Sequence, residues 1–398
     1  MEDHVNKSAR TSYADLNALL AIIIFIDLLF LPRLLFAFGI PVSLLIVIGS
    51  IVFIGSSRSV YFNYIGMFMF LLFIVIMSTS VNFGVITFKN IEPVESFKRI
   101  LQFSTILFYS FYRIDANRLK STLIIVLRVF YVWVFCFMLL SYYNPAIYYS
   151  LMTQIYPEAV EYMEWNLASF RFSYFYTDPN SAAYLICFTL AAYVFWERQL
   201  RWGVLCGTLA TLTIIGTQSR GAYIALLFIS VFILFRKEAS ITKKILTVFV
   251  ITLLVCAISL YFSEEVQLAY KVYEVRLAGE DELGGGRVGK YLYFLQNLNV
   301  LPFGTGYNLL RDGEEFRPHS DFIRLNLSYG ILALPLLLYY IFPRRSSQLL
   351  LFLMFLIPFL INTVIDDYRL LPLYLLLFGL LGQFGSSTKT TQILMRKN

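Results

Sequence analysis

The sequence predicts an all-α polytopic membrane protein, and two observations carry that reading. Of the 398 residues, 59% are hydrophobic and only 14% are charged, against about 45–50% and 25% in an average soluble domain. The apolar residues also fall into runs of near-membrane length; a hydrocarbon core about 30 Å thick asks for about 20 apolar residues per helix. This composition excludes an ordinary globular domain, a disordered chain and a disulfide scaffold.

Taken in order, the apolar runs give twelve predicted spans: Leu16–Leu31, Leu34–Ile54, Val60–Met77, Phe97–Tyr112, Ser121–Tyr143, Ser181–Trp196, Trp202–Thr217, Gly221–Phe235, Ile245–Phe262, Phe322–Ile341, Gln348–Thr363 and Leu370–Phe384. The first follows a polar, basic stretch and runs into Leu31-Pro32-Arg33 rather than a small-residue cleavage site, the pattern of a retained signal anchor. With a cytoplasmic N-terminus, the inside segments collect 17 Lys and Arg against 7 in the short outside loops. That is the positive-inside bias, and an even number of spans puts both termini in the cytoplasm. The net charge of +7 is therefore a record of topology and does not point to nucleic acid.

Two outside segments divide the bundle. Spans one to five (1–143) lead to a loop, 144–180; spans six to nine (181–262) lead to a larger loop, 263–321; spans ten to twelve and a cytoplasmic tail occupy 322–398. The larger loop holds 16 charged residues and 8 of the 21 glycines. Within it, Val266, Tyr270, Tyr273 and Leu277 share one helical face, and a second helical stretch covers about Val288–Asn299.

The four cysteines (Cys136, Cys187, Cys206, Cys256) lie singly in apolar runs and read as small buried hydrophobes. With two histidines, His4 and His319, no multi-histidine metal site can form. No metal and no cofactor are expected. Asp27 and Arg128 fall inside spans near their ends, where a structural role is the first reading.

The chemistry-bearing residues cluster on the outside face. Arg220 lies in Gln218-Ser219-Arg220-Gly221-Ala222, a turn between two spans where topology disfavours a cation; its guanidinium matches phosphate oxygens, and a headgroup anchor is the other reading. Gly284-Gly285-Gly286-Arg287 opens a helical stretch and suits an anion, although the Lys-Ser/Thr of a P-loop is missing. Phe303-Gly304-Thr305-Gly306-Tyr307 reads as a tight turn; Arg311, Arg317 and then Pro318-His319-Ser320-Asp321 follow it. His319 is a candidate general base, with Asp321 to orient it. Asp178-Pro179-Asn180 before the sixth span is first a helix cap.

In this order the pieces resemble the O-antigen polymerase and O-antigen ligase superfamily. Arg171 followed by Asp178-Pro179-Asn180-Ser181-Ala182 is similar to its Arg…Pro-Asn segment, and Gln218-Ser219-Arg220-Gly221-Ala222 to its Ser-Arg-Gly turn. Gly286-Arg287 with Pro302-Phe303-Gly304-Thr305-Gly306 resembles the large-loop arginine and Gly-x-Gly turn. His319-Ser320-Asp321-Phe322 with Tyr329-Gly330-Ile331-Leu332 resembles the family's histidine stretch. The resemblance covers about 171–332.

It implies a metal-independent glycosyltransferase of GT-C type in the bacterial inner membrane. Such an enzyme moves a glycan from undecaprenyl diphosphate at the periplasmic face, and the family allows a chain-length regulator as partner. It implies Arg220 and Arg287 on the diphosphate and His319 at the reaction centre. Arg171, Asp178, Asn180, Arg317, Asp321 and Arg324 follow as substrate-binding candidates. A polymerase is the first expectation and a ligase acting on lipid A-core the second. A flippase or transporter is the third; it fits less well, because the charges gather on one face and no internal repeat is visible.

Overall fold

The computed structural model describes residues 19, 21–32, 35–36, 40–41, 116–235, 245, 248, 252, 287–296, 310–311, 314–315, 319–331, 333–365, 367 and 369–384. The chain divides into two compact units. One is Met1–Pro32, Asp115–Asp281 and Leu349–Met354; the other is Arg33–Ile114, Glu282–Gln348 and Phe355–Asn398.

The described part of the first unit contains α1 (Ala21–Phe30), α2 (Ala116–Tyr143), α3 (Pro145–Ile155), α4 (Val160–Ala168), α5 (Pro179–Trp196), α6 (Leu200–Thr217) and α7 (Arg220–Phe235). Helix α5 is its axis. Almost every residue of α5 is buried, as expected of a helix that is apolar all round. It packs against α2, α6 and α7, and Ala182, Ala183, Ala191 and Ala192 let those backbones come close.

Helix α2 is two-faced. Leu119, Leu123, Leu127, Phe130 and Val134 are buried, at spacings of four and three. Its other side exposes Ile125, Val129, Val132 and Trp133. An exposed face this apolar is costly in water and suits lipid. Leu119–Tyr143 and Leu200–Thr217 are long and apolar enough to cross a membrane; Ala21–Phe30, Arg220–Leu234, Ser346–Ile361 and Leu370–Gly382 are shorter apolar helices. Of the cysteines, Cys187 and Cys206 are buried as expected, but Cys136 lies exposed among the outward apolar residues of α2; Cys256 is outside the described residues.

Arg128 has a partner that the sequence reading did not name. Its Nε and Nη2 donate to Glu197 Oε2 at 2.9 and 2.6 Å, and the guanidinium lies 4.7 Å from the Trp202 ring. Tyr193 Oη donates to the same carboxylate oxygen at 2.9 Å, and Gln199 N–H to Oε1 at 2.8 Å. The α5–α6 connector is thereby fastened to α2. The structural reading of Arg128 stands.

The second unit contains α8 (Arg287–Gln296), α9 (Asp321–Tyr329), α10 (Ala333–Ile341), α11 (Ser346–Ile361) and α12 (Leu370–Phe384), although α11 residues Leu349–Met354 cluster with the first unit. It also holds two short antiparallel pairs. In one, β1 (Leu35–Phe36) faces β2 (Ile40–Pro41); in the other, β3 (Leu310–Arg311) faces β4 (Glu314–Glu315). The first pair falls inside the predicted span Leu34–Ile54, so Leu35, Phe36, Ile40 and Pro41 are extended rather than helical.

The predicted span Phe322–Ile341 is also corrected. Gly330, at φ 81°, closes α9 with its N–H on Asn326 O at 2.9 Å, and α10 starts afresh at Ala333. A left-handed residue after the last turn is the usual glycine stop. The two halves have nine residues each, or about 14 Å apiece. The spans Val60–Met77 and Phe97–Tyr112, most of Leu34–Ile54 and most of Ile245–Phe262 lie outside the described residues. So do the face formed by Val266, Tyr270, Tyr273 and Leu277, the Gly284–Gly286 run and the Phe303–Tyr307 turn.

Candidate functional site

In the first unit the candidates sit where 169–180 meets the α6–α7 turn. Residues 171–176 are all buried, although they are not regular structure. A buried loop must find a partner for each backbone polar group, and here tyrosines and one asparagine supply many of them. Tyr142 Oη donates to Phe170 O at 3.1 Å and Tyr148 Oη to Tyr174 O at 3.4 Å. Tyr156 Oη donates to Phe175 O at 2.8 Å, and Asn166 Nδ2 to Thr177 O at 2.9 Å. Burial pushes the Tyr148 hydroxyl up to about 12, against the Ser173 hydrogen bonds that lower it. Tyr148 therefore stays a neutral donor. Tyr174, held at φ 52°, accepts from Trp133 Nε1 at 3.1 Å and donates to Leu29 O at 2.7 Å, tying α1 to the loop.

That loop is laced to the end of α6. Phe172 N–H donates to Gly216 O at 2.9 Å, as does Tyr142 Oη at 3.0 Å. Arg171 Nε donates to Thr217 O at 3.2 Å, and Gln218 Nε2 reaches Ser169 O and Phe170 O at 3.2 Å each. Gln218 stands in the left-handed region (φ 54°), ending α6; Ser219 follows, and Arg220 is the first residue of α7. Arg220 is exposed, while Ser219 is 1% exposed. Among the described residues the Ser219 hydroxyl and Gln218 Oε1 have no hydrogen-bond partner.

Asp178 is the N-cap of α5. Its Oδ1 accepts from the Asn180 N–H at 3.0 Å and from Asn180 Nδ2 at 2.9 Å, and its Oδ2 from Ser181 Oγ at 3.4 Å. Asn180 Oδ1 in turn takes Arg171 Nη2 at 3.5 Å. Arg171, Asp178, Asn180 and the turn that carries Arg220 thus form one linked cluster.

In the second unit α8 lies on α9. Phe294, Ile323 and Leu327 form their shared core, with Phe294 and Phe322 edge to face at 5.7 Å. Arg287 is the first residue of α8. Tyr291, one turn further along the same face, lies with its hydroxyl 3.3 Å from Ser320 Oγ and also donates to Leu360 O. Ser320 is the N-cap of α9 and is preceded by His319. The packing therefore brings the position of Arg287 to within one helical turn of the residue that touches the neighbour of His319. His319 is exposed and held at φ 46°, a backbone region that non-glycine residues enter only when the surroundings impose it.

Asp321 has backbone partners that its spacing from His319 does not reveal. It is 2% exposed, and its Oδ2 accepts the backbone N–H of Val364 and of Ile365, the latter at 2.9 Å. Its own N–H donates to Asn362 O at 3.0 Å. This carboxylate pins the start of α9 to the chain leaving α11. Arg324, half-buried, lies in the first turn of α9. Arg317 is outside the described residues.

The sequence reading passed over Tyr291, Asn166 and the β3–β4 pair. Nothing in one sequence marks the first two, whose roles depend on distant backbone. The third had a signal in the sequence, since Asp-Gly, here Asp312-Gly313, is a dipeptide that favours two-residue hairpin turns.

A family model described as O-antigen ligase (Wzy_C) matches residues 204–338, about a third of the chain. That stretch contains Arg220, Arg287 and His319; Arg171, Asp178 and Asn180 precede it. No curated protein matches the chain significantly. Members of that family are membrane-integral bacterial proteins, glycosyltransferase-like enzymes acting on polysaccharides. Over residues 204–338 the chain is similar to the O-antigen ligase family.

Proposed function

We propose that the protein is a polymerase of O-antigen or a related surface polysaccharide. It would transfer the growing glycan from undecaprenyl diphosphate onto a lipid-linked repeat unit, at the periplasmic face of the inner membrane. One observation carries the reading: within the matched region, each of the three chemical candidates stands at a helix start. Arg220 is the first residue of α7, Arg287 the first of α8, and His319 precedes the N-cap of α9. A helix start offers free N–H groups and the positive end of the dipole. A guanidinium added there makes a site for phosphate oxygens.

The chemistry follows from these groups. The acceptor hydroxyl attacks the anomeric carbon as the bond to the diphosphate oxygen breaks. Charge develops on the leaving diphosphate, and Arg220 and Arg287 stabilise it as fixed cations that need no metal. His319 takes the proton of the acceptor hydroxyl.

The bilayer supplies the donor lipid. The charge bias and the run of helices support cytoplasmic termini with Arg220 at the outer ends of its helices. The ligase reading, with lipid A-core as acceptor, is favoured by one observation, the ligase description of the matched family. A gene deletion separates the two when surface polysaccharide is run on a gel. A polymerase leaves core bearing a single repeat unit; a ligase leaves core without glycan. An unchanged ladder with intact surface polysaccharide refutes both. Arg287→Ala and His319→Ala should each abolish chain extension at unchanged protein level in the membrane, and wild-type extension in both would overturn the site.

A further inference from the structure

We propose that Arg171 is a positioning residue for Arg220 rather than a substrate ligand; this rests on the assignment of Arg220 given above. The last carbonyls of α6 lack partners within the helix. Gly216 O is taken by neutral donors, the Phe172 N–H and the Tyr142 hydroxyl. Thr217 O, three residues before Arg220, takes Arg171 Nε. A cation is the right donor there, because the C-terminal end of a helix carries the negative end of its dipole.

The same guanidinium reaches Asn180 Oδ1 at the start of α5 and lies 5.6 Å from the Trp165 ring of α4. Arg171 is 7% exposed. One planar fork therefore bridges α4, the start of α5 and the end of α6. Gln218 Nε2 adds a neutral tie from the turn itself to Ser169 O and Phe170 O. The direction in which α7 leaves the turn, and with it the place of Arg220, is set by these bonds. Substrate therefore meets an arginine that is already in position, which is what stabilising a leaving group requires.

A lysine keeps the charge of Arg171 but cannot span two acceptors with one rigid plane. A ligand role and a positioning role therefore predict different results. The assay uses full-length protein in nanodiscs and lipid-linked repeat units extracted from cells deleted for the gene. Initial rates of extension are measured for Arg171→Gln, Arg171→Lys, Arg220→Ala and the double variant Arg171→Gln/Arg220→Ala. A misplaced group costs on the order of 10²-fold. Arg171→Gln and Arg171→Lys should therefore both lose about 10- to 100-fold in kcat, with KM for the lipid-linked donor within about 2-fold of wild type. The double variant should be no more than about 2-fold slower than Arg220→Ala alone.

A near wild-type Arg171→Lys beside a slow Arg171→Gln would overturn the proposal, since charge alone would then suffice. Effects that multiply in the double variant would overturn it as well, while leaving the assignment of Arg220 intact. A wild-type rate in Arg220→Ala would instead overturn that assignment and the inference with it. If the Arg171 variants fail to accumulate, Gln218→Gly replaces them in the same cycle. It removes the side-chain tie while glycine tolerates the left-handed backbone. It should be slow in the wild-type background and neutral beside Arg220→Ala, and a wild-type rate would overturn the proposal.

Discussion

The Arg128–Glu197 pair makes a prediction whose size can be worked from the geometry. Two guanidinium nitrogens hold one carboxylate oxygen at 2.9 and 2.6 Å, with side-chain exposures of 19% and 5%. Removing one partner of a fully buried pair costs about 3–5 kcal/mol. Arg128 is partly open to solvent, so Arg128→Ala should cost less, about 2–3 kcal/mol, the range of hydrogen bonds to charged groups. Glu197→Ala loses the same bonds and strands Tyr193 Oη and Gln199 N–H, so about 3 kcal/mol is expected. If the residues acted independently, the double variant would lose about 5–6 kcal/mol; a direct pair predicts about 3–4, a coupling of about 2 kcal/mol. The measurement is equilibrium unfolding in mixed micelles, with tryptophan emission as a local signal because Trp202 lies 4.7 Å from the guanidinium. Additivity within about 0.5 kcal/mol would refute the pairing. The pH dependence gives a second check. Burial opposes ionisation of Glu197, but the Gln199 N–H, Arg128 and Tyr193 together hold the carboxyl below its usual range. A depressed carboxylate contributes stability that is present above the unfolded value, about 4.3, and lost as pH falls through the folded one. Glu197→Gln should remove that acid-side slope.

Three further outcomes are expected. Asp321→Asn retains an oxygen that can accept the Val364 and Ile365 N–H groups, so it should keep activity within about 10-fold, whereas Asp321→Ala should lose about 2–3 kcal/mol of stability in the same unfolding assay; an inactive but fully stable Asp321→Asn would return Asp321 to the chemistry. Asp178→Ala removes the cap of α5 and should cost about 1 kcal/mol; a drop in donor affinity at unchanged stability would instead show Asp178 to be a ligand. Tyr174→Phe leaves Leu29 O and Trp133 Nε1 without their partner and should cost about 1–3 kcal/mol, read as earlier proteolysis of the segment before α2.

What the sequence makes legible follows from the range of the interactions involved. Helices α2, α5, α6, α7, α11 and α12 are anticipated to within a few residues, because an apolar run and its caps are local facts. Asp178 as a cap is equally local. Gly330 could have been read as a stop, yet the apolar residues on both sides hide it, and a hydropathy window runs α9 and α10 together. Asp321 shows the opposite limit. Two residues from a histidine, it suggests a partner in proton transfer, while its carboxylate goes to backbone more than forty residues away. Arg171 is the same case: its motif says ligand, and its bonds run to the end of one helix and the start of another. A motif fixes which residue types stand at a site. Whether a charged side chain serves the substrate or the backbone is decided by how many of its donors or acceptors the fold has already taken. For Asp321 and Arg171 the fold has taken several, which is why a motif alone does not assign either of them to substrate.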